Sequence, residues 1–205
     1  MQSKQSLDAM IRHRAGVRIC HWINALAFCF LVVSGIAIFM AHPALYWYDV
    51  GYYGHPAWLK LPFLEAEGLT SNWGRNYHFL FAWVFVLNGI VYLSVNMLNQ
   101  HFLRDFLPSG KQLTPSHLIA DIVAHLKLRP PTGEPARQYN VLQKLSYLVV
   151  VFVLCPLLLL TGLCMSPAIN AVMPELMDLF GGRQSARSVH FICASLLVLF
   201  FVIHI

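Results

Sequence analysis

Four of the ten histidines in this sequence, His21, His78, His190 and His204, lie inside strongly apolar stretches. An ionisable side chain is costly there, so each is a functional candidate. His190 and His204 share one stretch and stand fourteen residues apart, which on a helix is about 21 Å of axial rise. Fourteen steps of roughly 100° fall about 40° short of four turns, so both imidazoles leave the helix on nearly the same side. Neutral imidazole can ligate a metal or carry a proton. No Asp or Glu lies in any of the apolar stretches to extend a proton relay. No carboxylate or cysteine joins these histidines in the manner of a zinc site. A lone histidine in such a stretch is often a packed, hydrogen-bonded residue, but two on one helix face weaken that reading.

The elements that must position them follow from composition. The chain has 205 residues, 58% hydrophobic and 11% charged, against about 25% charged in a soluble domain, and its mean hydropathy is +0.59. Four segments approach the ~20 apolar residues needed to cross a bilayer: residues 17–40, 76–97, 145–165 and 189–205. The expected architecture is all-α, a single domain over 1–205 forming an integral membrane four-helix bundle with up-down-up-down topology. The first apolar run is too long for a secretory signal, and no small-residue cleavage site follows it. No internal repeat stands out. The five cysteines have neither the even count nor the spacing of a disulfide framework and read as packing residues.

Lysine and arginine set the orientation. Lys4, Arg12, Arg14, Arg18, Arg104, Lys111, Lys127, Arg129, Arg137 and Lys144 fall on one side, and Lys60, Arg75, Arg183 and Arg187 on the other. The rule that cytoplasmic loops carry the excess places the N-terminus and the middle loop in the cytoplasm of a bacterial inner membrane. The net charge of +5 thus reports topology, since the basic residues flank apolar runs and form no stripe for nucleic acid. Under this topology the four histidines fall into two layers. His21 is level with His204 on the cytoplasmic side, and His78 is level with His190 on the outer side.

Two imidazoles on facing helices can clamp a haem between them. The expectation is two haem groups stacked across the bilayer about 21 Å apart, with iron ligands His21/His204 and His78/His190. The sequence has no Cys-x-x-Cys-His, so the haems are b-type, held without thioether bonds. A bis-histidine iron has no open position and suits electron transfer. Arg18, Arg75, Arg183 and Arg187 at the span ends are candidates to pair with propionates, or are ordinary interface residues. Gly35, Gly89 and Gly162 allow close approach of helices or of a flat ring. Asn140 and Gln143, opening the third span at the level of His21, are candidate hydrogen-bond partners of a quinone, with helix capping the other reading of Asn140.

Arg18-Ile19-Cys20-His21-Trp22-Ile23-Asn24, followed by Ser34-Gly35, resembles the first span of the cytochrome b subunits of Ni,Fe-hydrogenase, formate dehydrogenase and thiosulfate reductase. The run Tyr139–Lys144 and the fourteen-residue histidine pair are similar too. Leu142 departs from the pattern, standing where some formate dehydrogenase subunits have Gly. The resemblance implies a di-haem electron-transport subunit of a respiratory chain. It would be embedded in lipid, exchanging electrons with quinone and anchoring a periplasmic or membrane-bound oxidoreductase of molybdopterin, hydrogenase or iron–sulfur type. It implies the same two ligand pairs and a quinone contact at Asn140. The aromatic segment between residues 41 and 74 would dock the partner. A different reading is a stand-alone cytochrome b561-like protein that oxidises superoxide and passes electrons to quinone. A haem-free anchor or transporter is a third, disfavoured by the absence of broken-helix signals in paired halves.

Overall fold

The computed structural model describes residues 2–49, 55–65, 72–98 and 141–204, with 108, 113–116, 119, 122 and 123 between them. The all-α, four-span reading holds: among the described residues four helices are long and apolar enough to cross a membrane, over Ala15–Met40, Trp73–Val95, Val141–Cys164 and Arg183–His204. Large apolar side chains cover their outer faces, with Trp22 69%, Leu87 58% and Ile203 75% exposed. Such faces suit contact with acyl chains rather than water. The chain forms two compact units, Met1–Val95 and Asn96–Ile205.

The first unit is an antiparallel pair of helices, α1 (Gln2–Met40) and α2 (Asn72–Leu98). Three contacts fix their register. Near one end, Gly74 lets the backbones approach so closely that a Cβ there would lie 3.3 Å from the Ser34 carbonyl oxygen and 3.4 Å from Ala37 Cβ. Further along, Phe30 and Phe81 stack with ring centroids 4.1 Å apart. Towards the other end, the Asn88 amide donates to the Cys20 carbonyl at 2.7 Å and to Asn24 Oδ1 at 2.8 Å. Small residues for close packing and polar side chains for cross-links are how helices associate without a hydrophobic drive in lipid.

The aromatic connection folds back on itself. β1 (Ala44–Leu45) and β2 (Leu59–Lys60) pair antiparallel, Ala44 opposite Lys60 and Leu45 opposite Leu59. Leu45 and Tyr46 are buried, while Trp47 and Trp58 stack on the exposed side at 5.7 Å.

In the second unit the third span is built of α3 (Val141–Val149), a π-helical turn (Val150–Leu154) and α4 (Cys155–Cys164). The turn has a local cause. Pro156 lacks an N–H, and its ring would clash with the carbonyl four residues back in a regular helix. Two short helices follow, α5 (Pro167–Val172) and α6 (Glu175–Leu179). α6 is closed by Gly181 N–H to the Asp178 carbonyl and Gly182 N–H to the Met177 carbonyl, both 3.0 Å, with Gly181 at φ 69°. This is the left-handed glycine stop that frees the chain to begin a new helix at once. α7 (Arg183–His204) therefore starts six residues before the apolar run at 189–205, because its polar first turns belong to the helix though not to the hydropathy signal.

Candidate functional site

Within the first unit, His78 on α2 meets Ser34 on α1, with Nδ1 3.0 Å from the hydroxyl oxygen. That hydroxyl gives its own proton to the Phe30 carbonyl, one turn back at 2.6 Å. Having spent its only hydrogen, it accepts from the imidazole. His78 is thus held with its proton on Nδ1, leaving the lone pair on Nε2. His21 lies thirteen residues before Ser34 on the same helix, about 20 Å along the axis. Its ring is exposed and sits edge-on to Trp22 at 6.0 Å.

The second unit repeats the first arrangement. His190 on α7 meets Thr161 on α4, with Nδ1 3.0 Å from Oγ1, and Thr161 donates to the Leu157 carbonyl at 2.6 Å. The residue after each hydroxyl is a glycine. A Cβ on Gly35 would lie 3.5 Å from His78 Cε1, and one on Gly162 would lie 3.5 Å from His190 Cε1. Both Ser34 and Thr161 are fully enclosed. At the far end of α7, His204 Nδ1 lies 3.4 Å from the Tyr147 hydroxyl, and its ring stacks on Phe200 at 5.5 Å. Tyr147 and Thr161 are fourteen residues apart on their span, as are His204 and His190 on theirs.

Each unit therefore presents two imidazoles about 20 Å apart along a helical pair. In each, one imidazole is locked by a buried hydroxyl. These residues fit a haem. An imidazole whose Nδ1–H is engaged offers Nε2 as ligand, in the orientation its partner fixes. Among the described residues, no three His, Cys, Asp or Glu side chains converge as a polydentate metal site would require.

Arg18 and Arg75 are exposed, and Arg187 is half-buried near the start of α7. Arg183 donates to the Met165 carbonyl at 3.0 Å, closing the end of the third span. Gln143 is exposed on the first turn of α3, whereas Asn140 lies outside the described residues. Sequence reasoning singled out Gly35 and Gly162 but missed the role of the hydroxyls before them, and it missed Asn88 and Tyr147. The available signal was a Ser-Gly and a Thr-Gly pair, each within an apolar run.

A mainly helical chain with four membrane-length helices among its described residues, and imidazoles braced by buried hydroxyls, fits a membrane-bound b-type cytochrome. The family model described as prokaryotic cytochrome b561 matches residues 12–205, and the chain belongs to that family. It is accordingly a multi-pass membrane protein that binds b-type haem and takes part in electron transport. It is similar to the putative protein-methionine-sulfoxide reductase subunit YedZ1 of Azospira oryzae, at 29% identity over 197 residues, covering 94% of this chain and 87% of that protein. No solved structure matches the chain.

Proposed function

We propose that this protein is the di-haem subunit of a bacterial inner-membrane oxidoreductase, moving electrons between the quinone pool and a redox enzyme on the outer face. His21 and His204 ligate one haem and His78 and His190 the other. The pairing rests on the topology derived from lysine and arginine. The observation that supports two levels is the axial separation of about 20 Å between the imidazoles, which recurs in each unit. Bound haem supplies a reversible one-electron store, and the chain's residues set its position and potential. Arg18, Arg75 and Arg187 stand at span ends where they can meet propionates. Asn140 and Gln143 mark the candidate quinone site beside the cytoplasmic level. The N-terminus is cytoplasmic.

A partnered role is supported by the relative from Azospira oryzae, which is named as a subunit of a reductase. That name favours a subunit over the stand-alone superoxide-oxidising reading. The exposed Trp47–Trp58 stack on the connection between α1 and α2 is the proposed docking surface for the partner. The deciding measurement is the dithionite-reduced minus oxidised spectrum of the purified protein with haem counted per chain, repeated on His190→Ala and His204→Ala. Two haems falling to one in each variant is the expected result. Absence of a Soret band, or full haem content in both variants, sinks the proposal.

A further inference from the structure

We infer that Ser34 and Thr161 are a matched pair of positioning residues that set the redox potential of one haem and not of the other. The inference rests on the proposed ligation by His78 and His190. Three observations carry it. Each hydroxyl lies 3.0 Å from a histidine Nδ1. Each has committed its proton to a helix carbonyl at 2.6 Å. Each is sealed from solvent, with Ser34 1% and Thr161 0% exposed.

A buried acceptor on Nδ1–H draws that proton outwards and makes Nε2 a stronger electron donor. With haem bound, stronger donation from a ligating imidazole would favour ferric over ferrous iron and lower the potential. A buried hydroxyl holds its geometry without competition from water. His204 is held differently, by an exposed phenol contact of 3.4 Å, and His21 by a ring edge. The hydroxyl device thus operates on one level only. Serine and threonine are equivalent in it, because the working part is an oxygen whose hydrogen is already spent.

The test is a potentiometric titration of both haems in the purified, haem-loaded protein, with low-temperature EPR of the ferric state. Ser34→Ala and Thr161→Val remove the hydroxyls, and Ser34→Thr and Thr161→Ser keep them. Ser34→Ala and Thr161→Val should each move the potential of the same haem in the positive direction and shift its EPR signal, leaving the second haem unchanged. The hydroxyl-keeping variants should match the parent, which a purely structural role for the methyl or the volume would not produce. Unchanged potentials in both hydroxyl-less variants, or shifts in two different haems, would overturn the inference. Haem content of His78→Ala and His190→Ala separates the two levels of argument. Loss of one haem with no potential shift in the hydroxyl variants refutes the positioning role alone. Full haem content in the histidine variants refutes the ligation beneath it.

Discussion

Tyr147 holds His204 more loosely than Thr161 holds His190, at 3.4 Å against 3.0 Å and on an exposed rather than an enclosed surface. The phenol ring also meets Phe200 at 5.9 Å and the His204 ring at 5.8 Å, edge to face in both cases. Tyr147→Phe keeps these ring contacts and removes only a long, exposed hydrogen bond, which is worth at most about 1 kcal/mol. Both haems should remain bound, and the potential of neither should move as far as Thr161→Val moves its own. Redox titration of the two variants side by side checks the ranking.

Asn88 cross-links α2 to α1 through two bonds at the level of His21. Interhelical hydrogen bonds in membranes average about 0.6 kcal/mol and reach about 1.7 kcal/mol. Asn88→Leu should therefore lower stability to unfolding in mixed micelles by about 1–3 kcal/mol. Haem occupancy should fall at one level more than at the other, read as a change in the ratio of the two haems in the reduced spectrum.

Gly74 tests the approach of the helices that brings Ser34 to His78. Even a methyl there presses on the Ser34 carbonyl, which is backbone and cannot rotate away. Gly74→Val should push the helices apart, lengthen the hydroxyl–imidazole contact one turn away and raise the same potential that Ser34→Ala raises. Gly16 has nothing within 4 Å of a built Cβ, so Gly16→Ala should be silent or stabilise slightly by up to about 1 kcal/mol. Equal behaviour of the two variants in the redox titration would remove packing at Gly74 from the account.

Gly35 and Gly162 make a separate prediction. A methyl at either position would touch its histidine only at ordinary contact distance, 3.5 Å. The helix itself gains about 0.5–1 kcal/mol from Gly→Ala. If the glycines serve the helix crossing alone, alanine should leave haem content intact. If they leave room for the flat ring system, Gly35→Ala and Gly162→Ala should lose haem while the protein unfolds no more readily. The expected outcome is the second, measured as haem per chain against unfolding midpoint.

The spans and the positions of the four histidines were legible because a bilayer imposes a length and a hydropathy that no other environment demands. The first three spans, Ala15–Met40, Trp73–Val95 and Val141–Cys164, agree to within about four residues with the runs read at 17–40, 76–97 and 145–165. Arg183 to Ser188 escaped as helix, since a hydropathy window discounts Arg, Gln and Ser regardless of backbone state. The repeated hydroxyl–imidazole unit escaped for a different reason. Ser34 and His78 are separated by 44 residues, Thr161 and His190 by 29, so the repeat has no fixed period along the chain. Only the antiparallel register of each helical pair makes it visible. The π-helical turn was also missed, although Pro156 within an apolar run, where a proline must displace a backbone bond, was its signal.

That turn has a geometric consequence. Inside a bilayer, backbone groups released by a proline find no water, and the surrounding helix must absorb the defect. Val150–Leu154 meets that demand with a wider turn, which keeps the backbone helical through the defect. It lies between Tyr147, which touches His204, and Thr161, which holds His190. The wider turn shifts the rotational phase of Thr161 relative to Tyr147 from that of an unbroken α-helix. That phase sets which side of the span each of the two residues turns towards α7, where they meet His204 and His190.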